Sequence, residues 1–168
     1  MLETKDLIID KAKYSDWEAM YKNVWSRPES AKYMMWSVTT SEDDAKVRIL
    51  KTIEFQKSHD TYFVYEKKSG MPIGFAGVEK VSENIYTETG ICLGPNYVNK
   101  GYGKQIVKCL IEYCKKLGVI GFASMEQRMG CGVGACLVCS VKVLVDGKEK
   151  LLRACADGPV FPLEDIVL

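Results

Sequence analysis

Short apolar runs separated by polar residues open the chain, and they predict a strand followed by a helix. Leu7–Ala12 is a short apolar run suited to a β-strand. Ser15 and Asp16 can then cap a helix that reaches Trp25, because their side-chain oxygens accept bonds from free helical amides. Pro28 is expected to end that helix, since proline lacks the amide proton that a continuing helix needs.

A second helix is predicted from Ser41 to about Ser58. A hydroxyl followed by three acidic residues is typical of a helix N-terminus, where negative charge stabilises the free amides of the first turn. Val47, Leu50 and Ile53 follow at helical spacing, which predicts one apolar face.

Three strands are predicted next. Thr61–Glu66 is β-branched and aromatic, and Pro72–Val81 resumes after a turn at Ser69–Gly70, so the two runs predict an antiparallel hairpin. Ile85–Leu93 predicts one further strand, which Gly94 ends.

A third helix is predicted over Gly101–Leu117, ended by Gly118. Its apolar residues are expected on one face: Ile106, Val107, Leu110, Ile111, Cys114 and Leu117.

The pattern changes after Gly118, where glycines and cysteines become frequent and only short strand-like runs remain, such as Val141–Val145 before the turn at Asp146–Gly147. We therefore expect two modules, residues 1–118 and residues 122–168. The predicted fold class is α/β (α+β): a truncated, mostly antiparallel mixed sheet with flanking helices, followed by a small cysteine-rich β segment.

Charge and hydropathy narrow the choice of partners. The 23 Lys and Arg residues almost balance the 22 Asp and Glu residues, so nucleic acid is not an expected partner. No apolar run approaches the roughly 18 residues that indicate a membrane span, and Met1–Asp10 lacks the layout of a signal peptide. We expect a soluble cytoplasmic protein without a membrane partner.

The seven cysteines fall into two groups. Cys92, Cys109 and Cys114 are scattered and are expected to be small buried side chains. The other four lie between residues 131 and 155, and a disulfide framework is not expected for a cytoplasmic chain.

A glycine-containing turn precedes the third predicted helix, in the stretch Val98–Lys104. Glycines there allow the backbone to approach an anion, and free amides of the first helical turn, together with Lys104, suit a pyrophosphate. On the local pattern alone, an ordinary tight turn is the favoured interpretation.

The order of elements together with Gly101 and Gly103 resembles the GCN5-related N-acetyltransferase (GNAT) family, and in particular its ribosomal-protein N-terminal acetyltransferases, over residues 5–118. The resemblance implies acetyl-CoA as cosubstrate and an amine of a small molecule or of a protein N-terminus as acceptor. Val98 stands where the family usually has Gln or Arg. The implied cofactor-binding residues are Ile91, Cys92, Leu93, Val98, Asn99, Lys100, Gly101, Tyr102, Gly103 and Lys104.

The same resemblance implies a catalytic base on the strand before the glycine turn, where Glu88 is the matching carboxylate. An ordinary exposed strand residue is the alternative. Trp25, Met34, Met35 and Trp36 are candidates for the wall of the acceptor site, with plain core packing as the alternative. His59 is expected to be a surface residue.

In the family, the fold is completed by a further strand, a helix with the Tyr that acts as the acid, and a closing hairpin. The sequence after Gly118 shows none of these three elements. We therefore expect an open sheet edge and an incomplete CoA cleft. One hypothesis is that Val141–Val145 pairs with that edge and replaces the missing strands.

Cys131, Cys136, Cys139 and Cys155 have the spacing of a plant-type [2Fe-2S] centre, in which a tight loop supplies three thiolates and a distant residue the fourth. A four-cysteine zinc site and no metal at all are the alternatives.

Residues 122–168 also resemble the cluster-binding segment of the dihydroorotate dehydrogenase electron-transfer subunit, on the runs Ser124–Cys139 and Arg153–Phe161. That resemblance implies a [2Fe-2S] cluster and a redox flavoprotein partner. The FAD- and NAD-binding domains of that family are not visible in this sequence.

Three hypotheses follow. The chain is an N-acetyltransferase with an appended [2Fe-2S] segment, an iron-sulfur electron-transfer protein, or an inactive chimera of the two.

Overall fold

The computed structural model describes residues 1–82 and 85–167. Its internal contacts divide the chain into two units, Met1–Leu110 and Ile111–Leu168. This division falls inside a continuous helix, α4 (Tyr102–Lys116). The predicted module boundary between Gly118 and Phe122 therefore stays a prediction.

The first unit is built on an antiparallel sheet of six strands. The strands are β1 (Leu2–Glu3), β2 (Leu7–Asp10), β3 (Asp60–Glu66), β4 (Pro72–Ser82), β5 (Ile85–Glu88) and β6 (Cys92–Leu93). They pair in the order β1-β2-β3-β4-β5, and β6 also pairs with β4. The predicted class, an antiparallel sheet with flanking helices, is confirmed.

The β3–β4 hairpin is confirmed. Successive side chains of β3 point to opposite faces of the sheet and pack in two different buried clusters. Phe63 and Tyr65 pack in one buried cluster, with side chains of the first helical segment and of helix α3 (Glu42–Gln56). Tyr62 and Val64 pack in the other, which contains the first two turns of α4. Helices therefore cover both faces of the sheet.

The predicted single strand Ile85–Leu93 is wrong in one respect, because it is interrupted between β5 and β6. Gly90 has a φ of 94°, a left-handed conformation that a continuous strand does not contain. Thr89 still donates its amide to Gly77 at 3.1 Å, so the chain leaves the sheet only briefly before β6 pairs with β4 again.

Helix α3 begins as predicted, since the Ser41 hydroxyl accepts the Asp44 amide at 3.1 Å. Its predicted apolar face is wrong in part. Leu50 is 56% exposed and Val47 is also exposed, whereas Ile49 is fully buried. The apolar spacing fits more than one face, and packing against the sheet selects the face that contains Ile49.

The first helical segment consists of α1 (Trp17–Met20) and a wider π-type turn, Tyr21–Trp25. The preceding strand ends at Asp10, two residues earlier than predicted. Pro28 does more than end a helix. It lies at the start of the next one, α2 (Pro28–Ala31), where the missing amide costs nothing.

Helix α4 ends where Gly118 takes a φ of 67°, as predicted. Ile106, Leu110 and Ile111 are buried, but Val107 and Leu117 are exposed, so the predicted face is too wide. Among the described residues, no helix is long and apolar enough to cross a membrane.

The second unit contains two small antiparallel sheets. Strand β7 (Phe122–Ser124) pairs with β10 (Val160–Pro162), and β8 (Ser140–Val145) pairs with β9 (Lys148–Arg153). The hypothesis that Val141–Val145 replaces missing strands of the main sheet is wrong. Its hydrogen-bonding groups are taken up by β9 on one side and by a bridge to Ile166 on the other.

Candidate functional site

The glycine turn before α4 has the backbone that a close anion contact needs. Asn99 and Gly101 both have left-handed φ values, 61° and 77°. A Cβ atom added at Gly101 or Gly103 would meet nothing within 4 Å, so the space above the turn is open. Helix geometry leaves the amides of Tyr102, Gly103 and Lys104 without intrahelical acceptors. These amides could therefore bind an anion.

Side chains fix this turn to the start of the sheet. Gln105 accepts the Thr4 hydroxyl at 2.7 Å and donates to Asp6 at 2.7 Å. The Tyr102 hydroxyl donates to Glu66 at 2.8 Å. This hydrogen bond lowers the pKa of Glu66 and raises the pKa of Tyr102. The start of α4 is thus held by these three hydrogen bonds, which two of its side chains, Tyr102 and Gln105, make.

The other residues predicted for the anion site are placed at its rim. Lys100 Nζ lies 5.0 Å from the ring centre of Tyr97 and 6.0 Å from that of Tyr102. Lys104 and Val98 are exposed. Val98 therefore offers no polar side chain where the family usually has Gln or Arg.

The predicted base lies at the end of β5, directly before the interruption. Glu88 is exposed, and its carboxylate accepts the Gly90 amide at 2.6 Å. Ile91 is half-buried and Cys92 is buried. Burial raises the pKa of Cys92 to about 11, so this thiol is not a nucleophile at neutral pH.

Two of the four candidate wall residues line a cleft of about 360 Å³ in the first unit. Trp25 and Trp36 line it, together with Phe75 and Thr89. Met34 is half-buried near Gly90, whereas Met35 is fully exposed. Because Thr89 follows Glu88 directly, the cleft reaches the strand interruption.

Arg48 also lines this cleft, and sequence reasoning missed it. Its guanidinium carbon lies 4.9 Å from the Trp25 ring centre and 4.4 Å from that of Trp36. Nothing in the sequence distinguishes Arg48 from the lysines of the same helix. His59 is partly buried, stacks on Phe55 with 3.7 Å between ring centres, and lies 3.7 Å from Glu79 at this cleft.

The four C-terminal cysteines form two pairs. Cys136 Sγ accepts the Cys131 amide at 3.3 Å, and Cys131 Sγ accepts the Cys136 amide at 3.4 Å. The Sγ atoms of Cys139 and Cys155 lie 3.3 Å apart. In residues 1–82 and 85–167, no group of three or more Cys, His, Asp or Glu side chains is arranged to hold a metal ion.

Backbone amides point at these sulfurs. Val133 and Ala135 donate to Cys131 at 3.4 and 3.2 Å, and Gly134 donates to Cys155 at 3.2 Å. The amides of Val133, Cys136 and Ala135, with the Cys136 side chain, lower the pKa of Cys131 to about 6. Thiolates at neutral pH are what metal ligation requires.

Arg153 ties the fourth cysteine's turn to the cysteine loop. Its guanidinium makes a fork with the Asp157 carboxylate at 2.8 and 3.0 Å and donates to the Gly134 carbonyl at 3.1 Å. The hydrogen bonds from Arg153 lower the pKa of Asp157 to about 2. The four thiols and the amides that donate to their sulfurs are the donor set that an iron-sulfur group needs.

Comparison with known proteins identifies the larger part of the chain. The family model described as an acetyltransferase (GNAT) domain matches residues 6–137. The chain belongs to the GNAT acetyltransferase family. The predicted enzyme class, an N-acetyltransferase, is thereby confirmed at the level of the family.

Solved structures agree with the GNAT fold. A GNAT acetyltransferase from Bacillus anthracis is 23% identical, with a TM-score of 0.60 and coverage of 73% of each chain. A ribosomal-protein acetyltransferase solved in complex with coenzyme A is 16% identical, with a TM-score of 0.57 over 71% of this chain and 69% of that one. At these identities the likeness shows the fold alone.

The C-terminal resemblance is also confirmed. Residues 126–167 match the iron-sulfur cluster binding domain of dihydroorotate dehydrogenase B. The electron-transfer subunit of that enzyme from Desulforamulus reducens is 55% identical over 49 residues, which cover 29% of this GNAT chain and 19% of that relative. The chain thus spans about a fifth of the length of the curated relative.

Several predictions stay predictions. These are the individual site residues, the module boundaries, the cluster type, the acceptor, the flavoprotein partner, the lack of nucleic acid or membrane partners, and the cytoplasmic location.

Proposed function

We propose that residues 1–118 of this GNAT chain transfer an acetyl group from acetyl-CoA to a primary amine. The observation that carries the proposal is the open glycine turn at the start of α4, with its left-handed Gly101. That backbone suits a pyrophosphate, the doubly charged group in the middle of acetyl-CoA.

Each reaction step has a candidate residue. The amides of Gly101, Tyr102, Gly103 and Lys104 would hold the pyrophosphate, with Asn99 and Lys100 at the rim. The backbone of Ile91, Cys92 and Leu93 would pair with the pantetheine arm, since the sheet ends at β6 in the described part of the chain. Glu88 would take a proton from the acceptor ammonium, so that the neutral amine attacks the thioester carbonyl.

The two departures from the family pattern have different consequences. With Val98 in place of Gln or Arg, one side-chain contact is lost, and affinity for the pyrophosphate rests on the backbone amides with Lys100 and Lys104. The departing thiol of CoA has no identified acid. A thiol pKa of about 8.5 means that solvent can protonate it near neutral pH, so the reaction is slowed rather than prevented.

The test is a calorimetric titration of acetyl-CoA into anaerobically purified protein, first as wild type and then as Gly103→Val. We expect saturable micromolar binding by the wild type and at least a ten-fold loss in Gly103→Val, because the new side chain enters open space that only a ligand would occupy. Val107→Phe, at an exposed position of the same helix, is the matched control and should bind normally.

Absence of binding by folded wild-type protein would overturn acetyl transfer as the function. Equal binding by Gly103→Val and wild type would remove the glycine turn from the site. If the folded wild type does not bind acetyl-CoA, residues 1–118 are an inactive scaffold, as the chimera hypothesis holds.

We infer a second candidate function for residues 122–168, which is electron transfer through a [2Fe-2S] cluster. Cys131, Cys136, Cys139 and Cys155 would be the ligands, and a redox flavoprotein would be the partner. The specific observation is the arrangement of sulfurs in two pairs, which suits two irons better than one tetrahedral zinc ion. When bound, the cluster would accept and release one electron.

Metal and sulfide analysis of anaerobically purified protein distinguishes the alternatives. We expect about two irons and two acid-labile sulfides per chain, with visible absorption that dithionite bleaches. About one zinc per chain and no visible absorption would overturn the cluster in favour of a zinc site.

A further inference from the structure

Arg48 is a partly buried cation that has no anionic partner in the part of the chain that the structure describes. Within residues 1–82 and 85–167, arginine ion pairs join Arg27 to Glu29 and Arg153 to Asp157, whereas Arg48 has none. Its only hydrogen bond within that part of the chain is a donation to the Thr39 hydroxyl at 2.9 Å. Burial lowers the pKa of Arg48 to about 10, so the guanidinium remains charged at neutral pH.

The surroundings of Arg48 hold its charge in place without neutralising it. The rings of Trp25 and Trp36 flank the guanidinium at 4.9 and 4.4 Å, which restricts its motion and keeps its other N–H groups available. Cations removed from water are usually paired, because desolvation without an ion partner is costly. An unpaired arginine in a cleft therefore points to a ligand that carries the missing charge.

Trp36, which also lines the cleft, has a donor without an acceptor in the described part of the chain. Trp36 Nε1 is buried and forms no hydrogen bond among the described residues. Buried donors are nearly always satisfied, so this one also indicates a missing acceptor. Arg48 and Trp36 both line the 360 Å³ cleft, which is near the lower end of the size range of small-molecule sites.

The cleft also contains the opposite charge. Glu79 lines it, and so does Thr89, which directly follows Glu88 at the end of β5. A ligand with an anionic group at Arg48 could therefore place an ammonium group among carboxylates. This combination of charges matches an amine that carries its own carboxylate or phosphate.

We propose that the cleft between Arg48 and Glu79 is the acceptor site, and that the acceptor is a small amine bearing a carboxylate or phosphate bound by Arg48 and Trp36 Nε1. The role as acceptor site rests on the proposed acetyl transfer, but recognition of the anion does not. A guanidinium forms two parallel hydrogen bonds with either anion, so the two sources share one chemistry. A protein N-terminus lacks such a group beside its amine.

Binding can be tested without acetyl-CoA, since Trp25 and Trp36 report on the cleft by fluorescence. The full chain is titrated with phosphoethanolamine against ethanolamine, and with β-alanine against β-alaninamide. Each pair differs only in the anionic group. We expect at least one anionic compound to bind ten-fold or more tightly than its neutral counterpart. The pair that shows this difference tells whether the site recognises a phosphate or a carboxylate.

Two variants assign the effect. Arg48→Gln should abolish the preference for the anionic member, and Trp36→Phe should weaken its binding several-fold while the ring beside Arg48 is kept. Circular dichroism and the acetyl-CoA titration establish that each variant is folded. The acetyl-CoA affinity should be unchanged, which separates failure of this proposal from failure of acetyl transfer.

Equal binding of charged and neutral counterparts, or millimolar or weaker binding of all four compounds, would overturn the proposal. A preference that survives in Arg48→Gln would do the same. Stronger binding of a serine-starting peptide than of any of the four compounds would assign the cleft to a protein N-terminus instead.

Discussion

The Tyr102 hydroxyl donates a 2.8 Å hydrogen bond to the Glu66 carboxylate, and so joins the first residue of α4 to the last residue of β3. Glu66 is buried, and this bond is the main cause of its lowered pKa. The position of the glycine turn relative to the sheet therefore depends on a contact that changes with pH.

Tyr102→Phe is expected to lower stability in a pH-dependent way. A carboxylate with a lowered folded-state pKa contributes stability above its ordinary pKa of 4.5, and that stability is lost as the pH falls through the folded value. The wild type should therefore have the higher urea midpoint at pH 7, and the difference should shrink below about pH 4. Tyr113→Phe, on the same helix, should show no such dependence.

Gly101 and Gly103 should respond in opposite directions to alanine. Gly101→Ala forces a left-handed φ on a residue with a Cβ and should cost about 1 kcal/mol. Gly103→Ala meets no neighbouring atom and should stabilise the helix by up to about 1 kcal/mol. Urea unfolding of both variants measures this. Equal destabilisation would mean that the turn is not formed as described.

Ile49→Ala and Leu50→Ala test which face of α3 is buried. Ile49 is fully buried in the core and its truncation should cost about 2–5 kcal/mol in the free energy of unfolding. Leu50 is 56% exposed, so its truncation should change that free energy by about 0.5 kcal/mol or less. The reverse order of effects would restore the face predicted from apolar spacing.

Cys136→Ser should remove the visible absorption of anaerobically purified protein and reduce its iron content. The reason is that serine replaces a thiolate in one of the two sulfur pairs. Cys114→Ala removes a buried cysteine outside the cysteine loop and should keep the full spectrum. An unchanged spectrum in Cys136→Ser would contradict the proposed ligand set.

Local features of the fold were predictable from sequence because neighbouring residues determine them. Ser41 marks the start of α3, Gly118 ends α4, and alternation in Thr61–Glu66 indicates a strand. Each depends on backbone conformation or on a hydrogen bond within a few residues. The strand interruption at Gly90 was missed, because a single glycine in an apolar run does not reveal where the partner strand stops pairing.

By itself, the sequence determined the two family resemblances, the glycine turn and the cysteine spacing, since these chemistries need particular residues at fixed short separations. Only the tertiary structure decided that β8 pairs with β9 and that Arg48 lies between Trp25 and Trp36. Strand pairing and desolvation depend on which distant segments pack together. The sequence does not distinguish an arginine on an exposed helix from an arginine in an aromatic cleft. Only the side chains packed around the second arginine exclude water from it.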